Sequence, residues 1–80
     1  MAEIREIGGR RYQAVSVTAV SGGDFIKVKD RLVEIVNVEI ETYPDSDRPK
    51  GWSITGKDGN TYGMFDVGLY LKPLDKIEEN

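Results

Sequence analysis

Apolar and polar residues alternate along most of this chain, a period of two that marks strands rather than helices. From Tyr12 to Val20 the run is rich in β-branched residues, with Val15 and Val17 on one side and Ser16 and Thr18 on the other. Ser21-Gly22-Gly23-Asp24 breaks that strand. Phe25 to Lys29 then resumes the alternation, Ile26 and Val28 facing one way and Lys27 and Lys29 the other. Leu32 to Thr42 is the longest strand candidate, and its phase slips: Val33 and Ile35 occupy odd positions, whereas Val36, Val38 and Ile40 occupy even ones. A phase change inside one strand predicts a bulge or sharp bend, the device by which a strand leaves one sheet and joins another in a small barrel.

The same alternation predicts registers. A turn at Asp30-Arg31 pairs Val28 with Val33 and Ile26 with Ile35, and sets Lys27 opposite Glu34 outside. Tyr43 to Lys50 carries two of the three prolines and reads as a loop. For the next hairpin, a two-residue Asp58-Gly59 turn would leave Tyr62 and Met64 on the polar side. A three-residue loop with Gly59 left-handed pairs Trp52 with Met64, Ile54 with Tyr62 and Thr55 with Thr61, which sorts both strands consistently. Beyond Phe65, Asp66-Val67-Gly68-Leu69 suits a short 3-10 turn capped by Asp66, and Tyr70-Leu71-Lys72 a closing strand ended by Pro73. The chain therefore divides into a charged lead-in over 1–11, a flexible segment or a hairpin through Gly8-Gly9, an all-β domain over 12–74, and a charged tail or helical turn over 75–80. Five to six antiparallel strands are expected to curl into a closed barrel.

Composition narrows what such a barrel does. Eighty residues make one domain that buries about 60–65% of its unfolded surface. The chain has no cysteine and no histidine. Disulfides, thiolate nucleophiles, the common zinc and iron–sulfur sites and the usual imidazole base are thereby missing, so Ser16, Ser21, Ser46 and Ser53 have no partner to activate them. The net charge of −3 argues against bulk binding of phosphate backbones. No apolar run approaches the length of a membrane span, and the charged start lacks a signal-peptide core, so a cytoplasmic protein is expected.

The order of elements resembles that of SH3-like barrels. Gly23-Asp24-Phe25-Ile26-Lys27-Val28 resembles the glycine-aspartate strand opening of SH3, KOW and Tudor barrels, and Gly51-Trp52 resembles the tryptophan after the n-Src loop. Gly63 to Leu71 is similar to the ending of SH3 domains, and the likeness runs from Gly23 to Leu74. Only Ser21-Gly22-Gly23 separates Val20 from Asp24, where SH3 domains carry a long acidic loop, and there is no matching aromatic pair. Asp66 and Leu69 stand near the positions of a groove proline and asparagine. The resemblance implies the barrel and not proline-motif recognition.

Two surfaces are candidates for binding. Tyr43, Trp52 and Tyr70 suit the edge of a peptide pocket, beside Asp45 and Asp47 of the loop and Glu39 and Glu41 before it, an acidic edge for a partner with a basic surface. The plainer alternative is packed tyrosines and solvated charges. Trp52 faces the core in the hairpin register and a groove in the resemblance. Lys27, Lys29, Arg31, Lys57 and Lys72 could instead share one face and meet nucleic acid, with Tyr62 or Phe65 stacking on bases, although edge lysines also serve simply to prevent aggregation. Asp45-Ser46-Asp47 lacks the glycine and terminal glutamate of a calcium loop, so no metal is expected. The resulting expectation is a non-enzymatic protein-interaction module, acting alone or as an inhibitor or accessory subunit. A nucleic-acid-binding KOW or Tudor-like barrel is the alternative. Neither reading needs a cofactor or a membrane.

Overall fold

The computed structural model describes residues 3–77. Its strands are β1 (Glu3–Ile7), β2 (Arg10–Val15), β3 (Phe25–Val28), β4 (Arg31–Thr42), β5 (Pro49–Gly56), β6 (Thr61–Gly63) and β7 (Leu69–Pro73), followed by the one-turn helix α1 (Leu74–Ile77). They form one antiparallel sheet in the order β1-β2-β7-β3-β4-β5-β6, curled into a half-barrel. Two expectations are corrected here. The strands number seven among the described residues, because Gly8 and Gly9, with φ of 59° and 83°, turn the lead-in back as a hairpin that adds β1. The cylinder also stays open, since β1 and the three-residue β6 end the sheet without meeting. The last three residues of the expected tail lie outside the described residues.

The bulge stands where the phase slip predicts it. Pairing of β4 with β5 shifts register between Ile35 and Asn37, which leaves Val36 unpaired and 56% exposed. Val33 and Ile35 before it, and Val38 after it, consequently all reach the core. Gly22 lies against this kink: a Cβ there would come within 2.9 Å of the Val36 carbonyl oxygen. The distal hairpin has the expected register, Ile54 opposite Tyr62 and Thr55 opposite Thr61. Gly59 is left-handed at φ 87°, and the Gly56 and Asn60 backbones close the loop at 2.9 Å.

Three local expectations give way. The β3–β4 ladder pairs Ile26 with Val33 and Lys27 with Leu32, two residues tighter than the Asp30-Arg31 turn implies. Lys29 takes φ 57° and permits a two-residue turn; alternation with period two cannot separate registers that keep every side chain on its face. β2 stops at Val15, short of Val20, and Val17–Ala19 forms a 3-10 turn that drops Val17 and Val20 into the core. The 3-10 turn expected before the last strand is instead a tight turn from Gly63 to Asp66. Asp66 N–H donates to the Gly63 carbonyl at 3.0 Å, and Gly63 N–H donates to the Asp66 carboxylate at 2.9 Å.

Ile26, Ile35 and Ile54, each at most 1% exposed, centre the core with Val17, Val20, Val28, Val33 and Tyr62. A second apolar layer covers the opposite face of β2, β7 and β3. There Tyr12 meets Phe25 edge-on at 5.5 Å, and Leu71 and Pro73 are buried. The Arg10 guanidinium lies over both rings and is held by two hydrogen bonds to Asp75 of α1, at 2.9 and 3.1 Å. One ion pair enters the interior. The Asp24 carboxylate, fully buried, accepts from Ser21 N–H at 2.9 Å and from Lys72 Nζ at 2.8 Å, tying the start of β3 to β7.

Candidate functional site

Beyond the bulge, the second half of β4 and the first half of β5 leave the curled sheet as a two-stranded arm. β3 does not reach β4 past Glu34, and β6 pairs β5 only at Ser53–Thr55. The arm pairs Glu39 with Ser53, Ile40 with Trp52 and Glu41 with Gly51. Alternation puts Ile40 and Trp52 on the face continued by Val38 and Ile54, and Glu39 and Glu41 on the other. A shallow groove of about 470 Å³ lies among Glu39, Ile40, Glu41, Gly51, Trp52 and Ser53. Ile40 is 36% exposed at this groove.

Trp52 serves both readings that the sequence left open. One side packs against the core cluster while the residue lines the groove. Its ring meets Tyr70 edge-on at 6.1 Å, and its indole N–H donates to the Tyr70 hydroxyl at 2.5 Å. Burial pushes the Tyr70 phenol above its ordinary pKa, and the Trp52 hydrogen bond partly offsets that shift. The indole is thus fixed in position, as a preorganised contact residue must be.

At the tip, Tyr43 stands apart from the Trp52–Tyr70 pair. The Arg48 guanidinium covers its ring at 5.1 Å, and Ser46 N–H donates to the Tyr43 carbonyl at 3.2 Å. Asp45 and Asp47 are exposed on this turn. Four carboxylates, of Glu39, Glu41, Asp45 and Asp47, therefore share the arm with Arg48 and Lys50, and Lys50 lies 3.6 Å from Glu41. The structure joins Trp52 to Tyr70 and leaves Tyr43 on the loop with Asp45 and Asp47. Met64, 36% exposed, and Phe65, 94% exposed, project from the turn after β6. Of the two aromatic residues named as base-stacking candidates, Phe65 is the exposed one, whereas Tyr62 is buried, only 8% exposed.

The basic candidates lie at the other end of the sheet. Lys27, Lys29 and Arg31 belong to the β3–β4 hairpin and Lys57 to the β5–β6 loop; Lys57 N–H donates to the Glu34 carbonyl at 2.8 Å, which brings the two hairpins together. Arg31 is engaged there: its guanidinium donates to the Tyr62 hydroxyl at 2.8 Å and lies 3.4 Å from Asp58. Asp58 sits below its ordinary pKa chiefly because the Tyr62 hydroxyl donates to it, with Asn60 N–H and Arg31 adding to the effect. Lys72 leaves the basic group altogether, drawn to Asp24. Sequence reading missed both networks because their members are 48 and 27 positions apart, beyond any local pattern.

Among the described residues, no three carboxylates converge as metal ligands. No helix there is long and apolar enough to cross a membrane. Comparison with protein-family models, with curated proteins and with solved structures gives no match. The class of the chain accordingly rests on its own architecture, an all-β antiparallel half-barrel with one projecting arm.

Proposed function

We propose that the chain is a non-enzymatic interaction module of the SH3-like type, which binds a protein partner with a basic surface through the β4–β5 arm. The observation that carries this reading is the groove at Trp52: an immobilised indole and a part-exposed Ile40 form the apolar face of a two-stranded arm whose other face carries Glu39 and Glu41, with Asp45 and Asp47 further out. Such a site suits a lysine or arginine side chain, whose stem covers apolar surface while its head meets carboxylates or a ring face. In this reading the module occludes a basic surface or docks as an accessory subunit.

The test begins with affinity capture by wild type and by a Tyr43→Ala, Asp45→Ala, Asp47→Ala variant, followed by titration of the purified partner. Trp52 is the only tryptophan, so its emission reports binding directly. A loss of affinity of roughly tenfold or more in the variant is expected for three contacts of this kind. Equal affinities would sink the proposed surface. The alternative, a nucleic-acid-binding barrel using Lys27, Lys29, Arg31 and Lys57, draws support from the meeting of the two hairpin ends, while Asp30, Glu34 and Asp58 interleave its charges. Strongly salt-dependent binding of oligonucleotides, abolished by Lys29→Glu with Lys57→Glu, would replace the first reading with this one.

A further inference from the structure

We infer that β1 is a self-complementary edge through which two copies of this chain pair, extending the sheet across a twofold axis. Among the described residues β1 has β2 on one side and no strand on the other, whereas the opposite edge of the sheet, β6, is only three residues long. Ile4 in the middle of β1 is 48% exposed. An exposed strand edge with an apolar centre is a template for another strand.

Ladder geometry reduces the ways two copies can pair to a few. The Gly8-Gly9 turn closes on the Ile7–Arg10 pair, so alternation directs the backbone N–H and C=O groups of Glu3, Arg5 and Ile7 at β2 and those of Ile4 and Glu6 outward. An antiparallel partner must set outward groups opposite outward groups. A second β1 therefore has three registers: Ile4 opposite Ile4, Ile4 opposite Glu6, or Glu6 opposite Glu6. The third sets two carboxylates directly against each other. The second centres the ladder on Arg5 opposite Arg5.

Only the first is favourable throughout. It places Ile4 against its own copy and Glu3 opposite Arg5 twice, in non-hydrogen-bonded pairs where side chains come closest. Glu3 and Arg5 already form an ion pair within the strand, so pairing extends that pair into a four-charge ladder. The charges exclude the competing registers, and the twofold axis consumes the β1 edge of both copies, which closes this contact at two copies. A ladder this short gives a weak dimer, compatible with an arm at the far side of the sheet that stays open.

Sedimentation over a wide concentration series tests the inference. Wild type should show reversible monomer–dimer exchange, weakened by added salt. Glu3→Arg alone and Arg5→Glu alone should each weaken it roughly tenfold or more, because each sets like charges opposite one another. An equimolar mixture of the two variants should associate again, since the first presents an edge with two arginines and the second a matching edge with two glutamates. The chain has no cysteine, so Ile4→Cys should oxidise readily to a symmetric dimer, its Cα atoms about 5.5 Å apart in a hydrogen-bonded pair, while Glu6→Cys should not. A wild type that stays monomeric at every concentration, a mixture no tighter than its components, or faster cross-linking at Glu6→Cys would overturn the inference.

Discussion

Asp24 is the one buried charged side chain among the described residues. Its buried carboxylate accepts from Ser21 and Lys72, so the glycine-aspartate opening of β3 works as a clasp between the turn before β3 and the last strand. Removing one partner of a buried ion pair leaves the other desolvated and uncompensated. Asp24→Ala should therefore cost about 3–5 kcal/mol in urea unfolding; a loss below about 1 kcal/mol would show that the pair is solvated. At Asp58 the prediction concerns pH. Hydrogen bonds led by that from Tyr62 lower its folded pKa, so its stabilisation is whole above the ordinary carboxyl value of 3.8 and disappears as pH falls through the lowered folded value. Tyr62→Phe should flatten that acid limb of the stability curve, and an unchanged limb would deny the hydrogen bond its role. Asp24 was visible in the sequence as a strand opening, but its partner Lys72 was not, since Lys72 lies on an alternating strand where a charge reads as exterior.

At the scale of elements, the bulge decides where the arm goes. Deleting Val36 would remove the extra residue, and because Val38 and Ile40 then alternate in phase with Val33 and Ile35, each side chain keeps its face while the kink against Gly22 is lost. The expected result is a folded chain whose Trp52 stays packed, seen as an unshifted emission of the single tryptophan; a red shift would show that the kink itself, and not the phase, holds the arm against Tyr70. The β3–β4 turn offers the reverse kind of change. Lys29 holds φ 57°, a conformation that costs a side-chain-bearing residue about 1–2 kcal/mol and glycine little. Lys29→Gly should raise stability by roughly 0.5–1 kcal/mol after the added unfolded-state entropy is counted. Loop length was legible in the β5–β6 hairpin, where Gly59 marks the left-handed position. It was not legible at Lys29, where lysine gives no sign of its backbone angle.

The whole molecule is a curved sheet with apolar layers on both faces of β2, β7 and β3, and an arm that neither layer covers. Hydrogen exchange should divide along that line. Amides at Ile26, Ile35 and Ile54, buried in the core, should exchange by global opening, and those from Glu39 to Lys50 by local fluctuation. Uniform protection across β4 would contradict the projecting arm. The same openness gives the molecule two unpaired edges where a closed barrel has none, which is why binding through the arm and pairing through β1 both belong to this scale.

The two-residue period, the phase slip in β4, the Gly59 loop and the apolar set were determined by the chain itself, because each depends on neighbours within a few positions. Tertiary structure decided that the sheet stops short of closure, that Trp52 is both packed and accessible, and that Lys72 and Arg31 turn to acidic partners. Local alternation assigns a side chain to a face. It carries no information about which distant strand that face will meet, and electrostatic partners and sheet edges are properties of that meeting.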